Sequence, residues 1–385
     1  MNQKSLRVLH FFKTYYPDSF GGIEQVIFQM CKGTARYGFT CEVLTLSPNA
    51  HEAPIEFSGH LVHQARLDFQ VASTGFSLSA FRKFRELASQ ADIVHYHYPW
   101  PFMDLVHFIT RHGKPTVVTY HSDIVKQKTL LKIYRPLKNY FLRSVDRIVA
   151  TSPNYLATSS VLNRYRNKVI KITYGLDKST YPAPAPELLE NWRSKLGGVQ
   201  RFFLFVGMLR YYKGLHILLD AVQGTDYPVV IVGAGPVEAE LKAHAARLGL
   251  RNIHFLGAVS DEDKVALLQL CYAVVFPSHL RSEAFGISLL EGAMFGKPMI
   301  SSEIGTGTSY INVNGETGVV VSAGNPAAFR EAMCYLWNNP DVAAEMGKRA
   351  EARYWRLFTA ERMAESYANL YRDLLSEVSG RSLAV

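Results

Sequence analysis

Long apolar runs are missing from this chain of 385 residues. No window reaches the roughly 20 predominantly apolar residues that a membrane-spanning helix needs. Even residues 201–219 are interrupted by Arg210, Lys213 and glycines. Residues 1–7 carry no apolar run behind their lysine, so no signal peptide is expected. Cysteine is scarce: Cys31, Cys41, Cys271 and Cys334 stand far apart within apolar patterns, with no Cys-x-x-Cys pair. That pattern reads as reduced core residues and not as a disulfide or zinc framework. Low-complexity segments are absent too. A cytosolic protein, or one peripheral to the inner face of a membrane, is the expectation.

What is present is an ordinary globular composition, 48% hydrophobic and 19% charged, in a chain too long for one hydrophobic core. Short Val-, Ile-, Phe- and Tyr-rich runs alternate with helical patterns. A first set covers residues 8–12, 41–46, 93–98, 116–121, 147–151 and 169–174. A second covers residues 202–206, 228–232, 253–256, 273–276, 298–301 and 318–321. Such alternation predicts an α/β protein with two parallel sheets wrapped by helices. Alternating prolines at 182, 184 and 186 can continue neither a helix nor a central strand, and they predict the interdomain linker. The domains are therefore expected at 1–181 and 187–354, with one long helical pattern closing the chain over about 355–385.

The net charge of +9 calls for an anionic partner: nucleic acid, anionic lipid or a phosphorylated substrate. No helix-turn-helix, zinc-finger or RNA-recognition pattern accompanies it, which speaks against nucleic acid. Basic residues Lys126, Lys128, Lys132, Arg135, Lys138, Arg143 and Arg147 interleave with Leu130, Leu131, Ile133, Tyr134, Leu137, Tyr140 and Phe141. This is the pattern of a helix lying on an anionic bilayer, and equally of a core helix with a solvated basic face.

Several segments carry chemistry. Gly21-Gly22 follows the first strand and opens a helix, letting backbone approach a ligand closely. His121 ends an apolar strand, where functional groups of α/β folds gather. His95 and His97 alternate onto one strand face without a third ligand at metal spacing, so a structural role is expected. Lys213 precedes a helix and would place a point charge beside an anion held there. Gly233-Ala234-Gly235-Pro236 is a Gly-x-Gly lacking the third glycine of a dinucleotide fingerprint. Asp261-Glu262-Asp263 follows Ser260, and an N-cap with acids in the first helical turn explains it fully. In residues 282–293, Glu283 sits on a loop after an apolar strand and Glu291 on the second turn of a helix opening near Gly286. The N–H groups around Phe285, Gly286 and Ile287 would face an anion, with one carboxylate suited to a ribose diol and the other to a sugar ring.

Taken together, Gly-Gly-x-Glu, His121, Lys213-Gly214, Gly-x-Gly-Pro and the paired glutamates resemble the signature of retaining glycosyltransferases of family 4, over nearly the whole chain. The resemblance implies the GT-B architecture: two Rossmann-like domains facing across a cleft, acceptor on the first and nucleotide sugar mainly on the second, with the last helix returning to the first. It places Gly21 and Gly22 near the donor pyrophosphate, His121 on the transferred sugar, and Gly233 and Gly235 beside the nucleotide with Val259 in the base pocket. It also puts Lys213 on the diphosphate. The family arginine is Met208 here, and Arg210 is the candidate substitute. His121, Lys213 and Glu283 are the expected catalytic residues. Glu291 is expected on the ribose, and Lys126, Lys128 and Lys132 on the membrane and acceptor side. No cofactor or metal is expected. The resemblance leans toward mannosyl- or rhamnosyltransferases of O-antigen and other bacterial surface polysaccharides, with a GDP-hexose donor and a lipid-linked saccharide acceptor. A UDP-sugar transferase or a non-catalytic nucleotide-sugar or glycan binder is the alternative.

Overall fold

In the computed structural model, residues 5–71, 74–124 and 128–382 are described, the side chains of 128–131 and 381–382 excepted. The chain divides into two compact units, Met1–Gly175 with Ala360–Val385, and Leu176–Thr359.

The first unit contains β1 (Leu6–Phe11), β2 (Phe39–Ser47), β3 (Ile55–Phe57), β4 (His60–Arg66), β5 (Phe69–Val71), β6 (Thr74–Phe76), β7 (Ile93–Tyr98), β8 (Thr116–Tyr120), β9 (Arg147–Ala150) and β10 (Val169–Lys171). Eight of these form one sheet in the order β10-β9-β8-β7-β1-β2-β4-β3, parallel except for β3 against β4, and β5 pairs with β6. The central β7 is buried at every position, as a strand covered by helices on both faces must be. β3 to β6 carry no long apolar run, so the sequence periodicity passed over them.

The second unit contains β11 (Phe203–Val206), β12 (Val229–Val232), β13 (Ile253–Gly257), β14 (Ala273–Phe276), β15 (Met299–Glu303) and β16 (Gly318–Ser322), all parallel, in the order β13-β12-β11-β14-β15-β16. Counted within the unit this is 3-2-1-4-5-6, the doubly wound order of nucleotide-binding sheets.

Three expectations about boundaries need correction. The first unit ends at Gly175, six residues before the expected 181. The proline segment is no free linker, because Tyr181 belongs to the second unit and its hydroxyl donates to Glu291 Oε1 at 3.0 Å. The closing helical pattern is two helices, Pro340–Leu357 and Ala360–Ser382, and only the latter joins the first unit. They part at Phe358, whose ring is fully buried beside Phe285 and Tyr310 and whose carbonyl accepts from Leu176 N at 3.0 Å. Helical periodicity runs across this break because Phe358 replaces one buried apolar position by another. Within the first unit, helix Ala360–Ser382 buries Met363, Ala364, Tyr367, Tyr371 and Leu374 on one stripe and packs against helix Gly22–Thr34.

Candidate active site

The order of the second sheet reverses between β11 and β14, and ligands of open α/β sheets bind beyond the strand ends at such a point. After β11 the chain makes a 3₁₀ turn, Tyr211–Lys213, passes Gly214 in the left-handed region and enters helix Leu215–Val222. After β14 it runs to Gly286, at φ 98°, and into helix Ile287–Met294. These loops and the one after β12 are pressed together. A Cβ on Gly214 would lie 2.0 Å from Pro277 O, and one on Gly233 (φ 127°) 2.0 Å from Gly207 O. Glycine is thus demanded at both positions by backbone against backbone, before any ligand is considered.

This packing brings Lys213 and Glu283 together. Their Nζ and Oε2 atoms lie 2.5 Å apart, with both side chains close to nine-tenths buried. Ser278 Oγ donates to the same oxygen at 3.4 Å, and the Phe276 ring lies 4.9 Å from Nζ. Burial alone would push the lysine pKa down, but the adjacent carboxylate outweighs it and the net shift is upward. Lys213 is therefore a fixed cation at any physiological pH.

Glu291 is on the second turn of helix Ile287–Met294 and buried. Besides Tyr181, its Oε1 faces Lys264 Nζ at 3.2 Å, and Lys264 also pairs with Asp261 at 2.9 Å. Burial works against the Lys264 charge, but Glu291 and Asp261 more than compensate and raise its pKa. Lys264 and Tyr181 escaped the sequence reading, since a lysine one turn into an amphipathic helix carries no signal of its own. Asp261–Leu270 is a helix capped by Ser260, whose Oγ accepts from Asp263 N at 3.0 Å, while Asp263 Oδ1 accepts from Trp192 Nε1 at 2.8 Å. The acidic run is thus occupied as a cap and a packing anchor.

Arg210 is exposed, its Nε 2.9 Å from Met208 Sδ, so the two side chains share one surface corner. The Phe285 ring is buried inside the unit, against Phe358 and the Gly307 backbone, and only its main chain is at the helix start. Ile287 is the first helical residue and Val259 is half-buried just past β13. Gly235 lies where a Cβ would meet Leu209 O at 2.3 Å.

In the first unit, Gly21 caps helix Gly22–Thr34 after β1. The glutamate of this motif, Glu24, is buried and accepts from Thr14 Oγ1 at 2.9 Å and Ser19 Oγ at 2.7 Å, which ties the preceding loop to the helix start. His121 follows β8 and is fully buried. Its Nε2 meets His97 Nδ1 at 2.9 Å and its Nδ1 meets the Tyr174 hydroxyl, so both ring nitrogens are engaged within the protein. Burial pushes its pKa down to about 3, and the ring is neutral at pH 7. His95 is likewise engaged twice, by Tyr371 at 2.6 Å and Thr119 at 2.8 Å, which fits the structural role read from the sequence.

Two family descriptions match the chain, "Glycosyltransferase Family 4" over residues 20–174 and "Glycosyl transferases group 1" over residues 190–353. The D-rhamnosyltransferase WbpZ of Pseudomonas aeruginosa is 70% identical over 92% of this chain and 93% of its own length. The chain belongs to the family 4 glycosyltransferases. The O-antigen chain mannosyltransferase C of Escherichia coli is 50% identical over 97% of this chain and all of its own. Among solved structures, the sucrose-phosphate synthase of Thermosynechococcus elongatus superposes with a TM-score of 0.79 at 21% identity, over 97% of this chain and all of that one, which places this glycosyltransferase in the GT-B fold. The enzyme has no helix, among the described residues, long and apolar enough to cross a membrane.

The basic amphipathic segment of the glycosyltransferase forms helix Lys128–Ser144, with Pro136 inside it. Lys126 lies outside the described residues, and so does the side chain of Lys128. Lys132, Ile133, Arg135, Tyr140 and Arg143 are exposed, whereas Lys138 is buried. Tyr140 stacks on Phe108 at 4.4 Å and so joins helix Pro101–Thr110, which adds exposed Leu105 and Ile109 to the same apolar surface. The sequence reading missed these two, because helix Pro101–Thr110 is apolar almost all round and gives no sign of which side is left uncovered.

Proposed function

We propose that the enzyme transfers a 6-deoxyhexose, D-rhamnose first and mannose second, from a GDP-sugar to a lipid-linked glycan, with retention of configuration, in the synthesis of O-antigen. The observation carrying this reading is the 70% identity to a D-rhamnosyltransferase, seconded by the O-antigen mannosyltransferase at 50%. The second unit holds the donor. Charge develops on the leaving diphosphate as the glycosidic bond breaks, and a preorganised cation at that point lowers the barrier. Lys213 is such a cation: buried, held by Glu283, and unable to lose its proton near neutrality. The N–H groups at Gly286 and Ile287 add their helix-terminal dipole. Glu283 meets the hexose and Glu291 the ribose, with Lys264 and Tyr181 setting the orientation of the latter. With diphosphate charge neutralised by lysine and helix N–H groups, and Asp261 and Asp263 committed to the helix cap, the chemistry runs on protein groups without a metal. His121, neutral and bonded at both ring nitrogens within the first unit, is an uncharged structural ring and not an acid.

The deciding experiment supplies GDP-D-rhamnose, GDP-mannose and UDP-glucose, each labelled in the sugar, with lipid-linked acceptor. Label is expected in lipid from a GDP-sugar, D-rhamnose leading, and thermal stabilisation by GDP is expected to exceed that by UDP. Transfer from the UDP-sugar alone overturns the donor assignment. Binding without transfer from any donor leaves the chain a glycan or nucleotide-sugar binder.

The exposed face of Lys132, Ile133, Arg135, Tyr140, Leu105 and Ile109 combines cationic and apolar groups as a bilayer-surface element does, and it would hold the enzyme at the inner face of the membrane beside its acceptor. Changing Lys126, Lys128 and Lys132 to Gln removes about 1 kcal/mol of surface attraction each. Sedimentation with phosphatidylglycerol vesicles at low salt is expected to fall steeply while GDP binding stays unchanged. Equal sedimentation of parent and variant would rule the surface out.

A further inference from the structure

One face of the first sheet is polar where a core face is normally apolar. β1 contributes His10, β2 Cys41, β7 His95 and His97, and Cys31 comes down from helix Gly22–Thr34; all are buried. The histidines are connected in a row. His10 Nδ1 lies 3.0 Å from His97 Nε2, His97 Nδ1 lies 2.9 Å from His121 Nε2, and His121 Nδ1 meets the Tyr174 hydroxyl. Each neutral imidazole has one N–H, so the row runs in one sense only. If His10 donates from Nδ1, each ring donates onward toward Tyr174, and His10 keeps a bare lone pair on Nε2. That nitrogen is fully buried, and no partner among the described residues meets it in good hydrogen-bond geometry, the Cys41 thiol being the neighbour against it. An unmatched buried nitrogen costs about 1–3 kcal/mol unless something meets it.

The ligand atoms of His10, Cys31 and Cys41 lie within 4.8 Å of one another. We propose that these three residues form a structural site for a thiophilic d¹⁰ cation, bound through the two sulfurs and the Nε2 of His10. The donor set selects the class. Two soft sulfurs and an imidazole suit Zn²⁺ or Cu⁺ and reject the oxygen-seeking Mg²⁺ and Ca²⁺. On binding, both thiols release their protons to solvent, and the two thiolates cancel the charge of a dication, so a zinc site carries no net charge into the core. Three ligands in a dry site complete a trigonal Cu⁺ centre and leave Zn²⁺ one position short of its usual four. The second shell fits as well: His97 accepts from the other nitrogen of His10, the contact that orients a ligating imidazole, and Thr34 Oγ1 lies 3.4 Å from Cys41 Sγ. The ion would join the C-terminal half of helix Gly22–Thr34, through Cys31, to β1 and β2. Its role is to pin that helix to the sheet, and it is independent of the transfer chemistry.

The test uses the full-length enzyme, purified with reductant and stripped by a chelator. It is incubated with Zn²⁺, or with Cu⁺ under anaerobic conditions, and passed through gel filtration before metal analysis. About one ion per chain is expected to remain and to raise Tm, as any ligand of the folded state does. The double variant Cys31→Ala/Cys41→Ala is expected to retain at least tenfold less. Co²⁺ loading of the parent provides a readout that needs no variant, because thiolate ligation produces intense sulfur-to-cobalt absorption in the near ultraviolet. The site is refuted if the stripped parent retains less than about a tenth of an ion with both metals, if the folded double variant retains as much as the parent, or if bound Co²⁺ shows no such absorption.

Discussion

Lys213→Ala is expected to lower turnover a hundredfold or more, the loss of a few kcal/mol of transition-state stabilisation at the departing diphosphate. The structure adds a second consequence. With Lys213 gone, the Glu283 carboxylate is left buried without its cation, and stranding one partner of a buried pair costs about 3–5 kcal/mol of stability. The two effects separate in the double variant Lys213→Met/Glu283→Gln, which no longer strands a charge. It should regain most of the thermal stability and none of the turnover. A folded Lys213→Ala enzyme within a few fold of the parent would remove this lysine from the mechanism. The pair also has a defined pH window. Because the folded pKa of Lys213 is raised above its usual 10.5, its contribution to stability is fully present below that value and is lost only as pH rises through the raised one. Neither stability nor rate should show a limb from this group near neutrality.

Glu283→Gln and Glu291→Gln are expected to divide binding from turnover. Glu291 meets the ribose, present in free nucleoside diphosphate and donor alike. A charge-assisted bond there is worth roughly 1.5–3 kcal/mol, so Glu291→Gln should weaken both ligands ten- to a hundredfold. Glu283 meets hexose hydroxyls that only the full donor carries. Its contact with Lys213 sharpens the expectation: Gln in its place releases the ammonium, so free diphosphate should bind as well as before or more tightly, while turnover falls. Calorimetry with GDP beside steady-state rates measures both. If Glu283→Gln weakens GDP as much as Glu291→Gln does, the assignment of roles fails.

The outline of the protein was legible along the chain because it rests on local periodicity. All twelve apolar runs became strands, and the paired glutamates fall where a loop and a second helical turn were expected. Why glycine stands at 214 and 233 came only from the structure, which brings them against the backbone of Pro277 and Gly207. What the sequence could not supply were partners distant along the chain. Lys213 and Glu283 are 70 positions apart, Tyr181 and Glu291 110, and neither pairing leaves a trace in local pattern. The break at Phe358 was invisible for the same reason: an apolar residue at helical spacing does not reveal which body it will bury itself in. His121 shows the limit most clearly. Its strand-end position was evident from sequence, but its protonation and its lack of a spare nitrogen arise from burial beside His97 and Tyr174, brought there by sheet register and by the chain's return after β10. Sequence determined where the backbone turns and which residues can carry charge. Tertiary structure alone decided which of those charges meet, because desolvation and distance, not composition, set what a buried ion or imidazole can do.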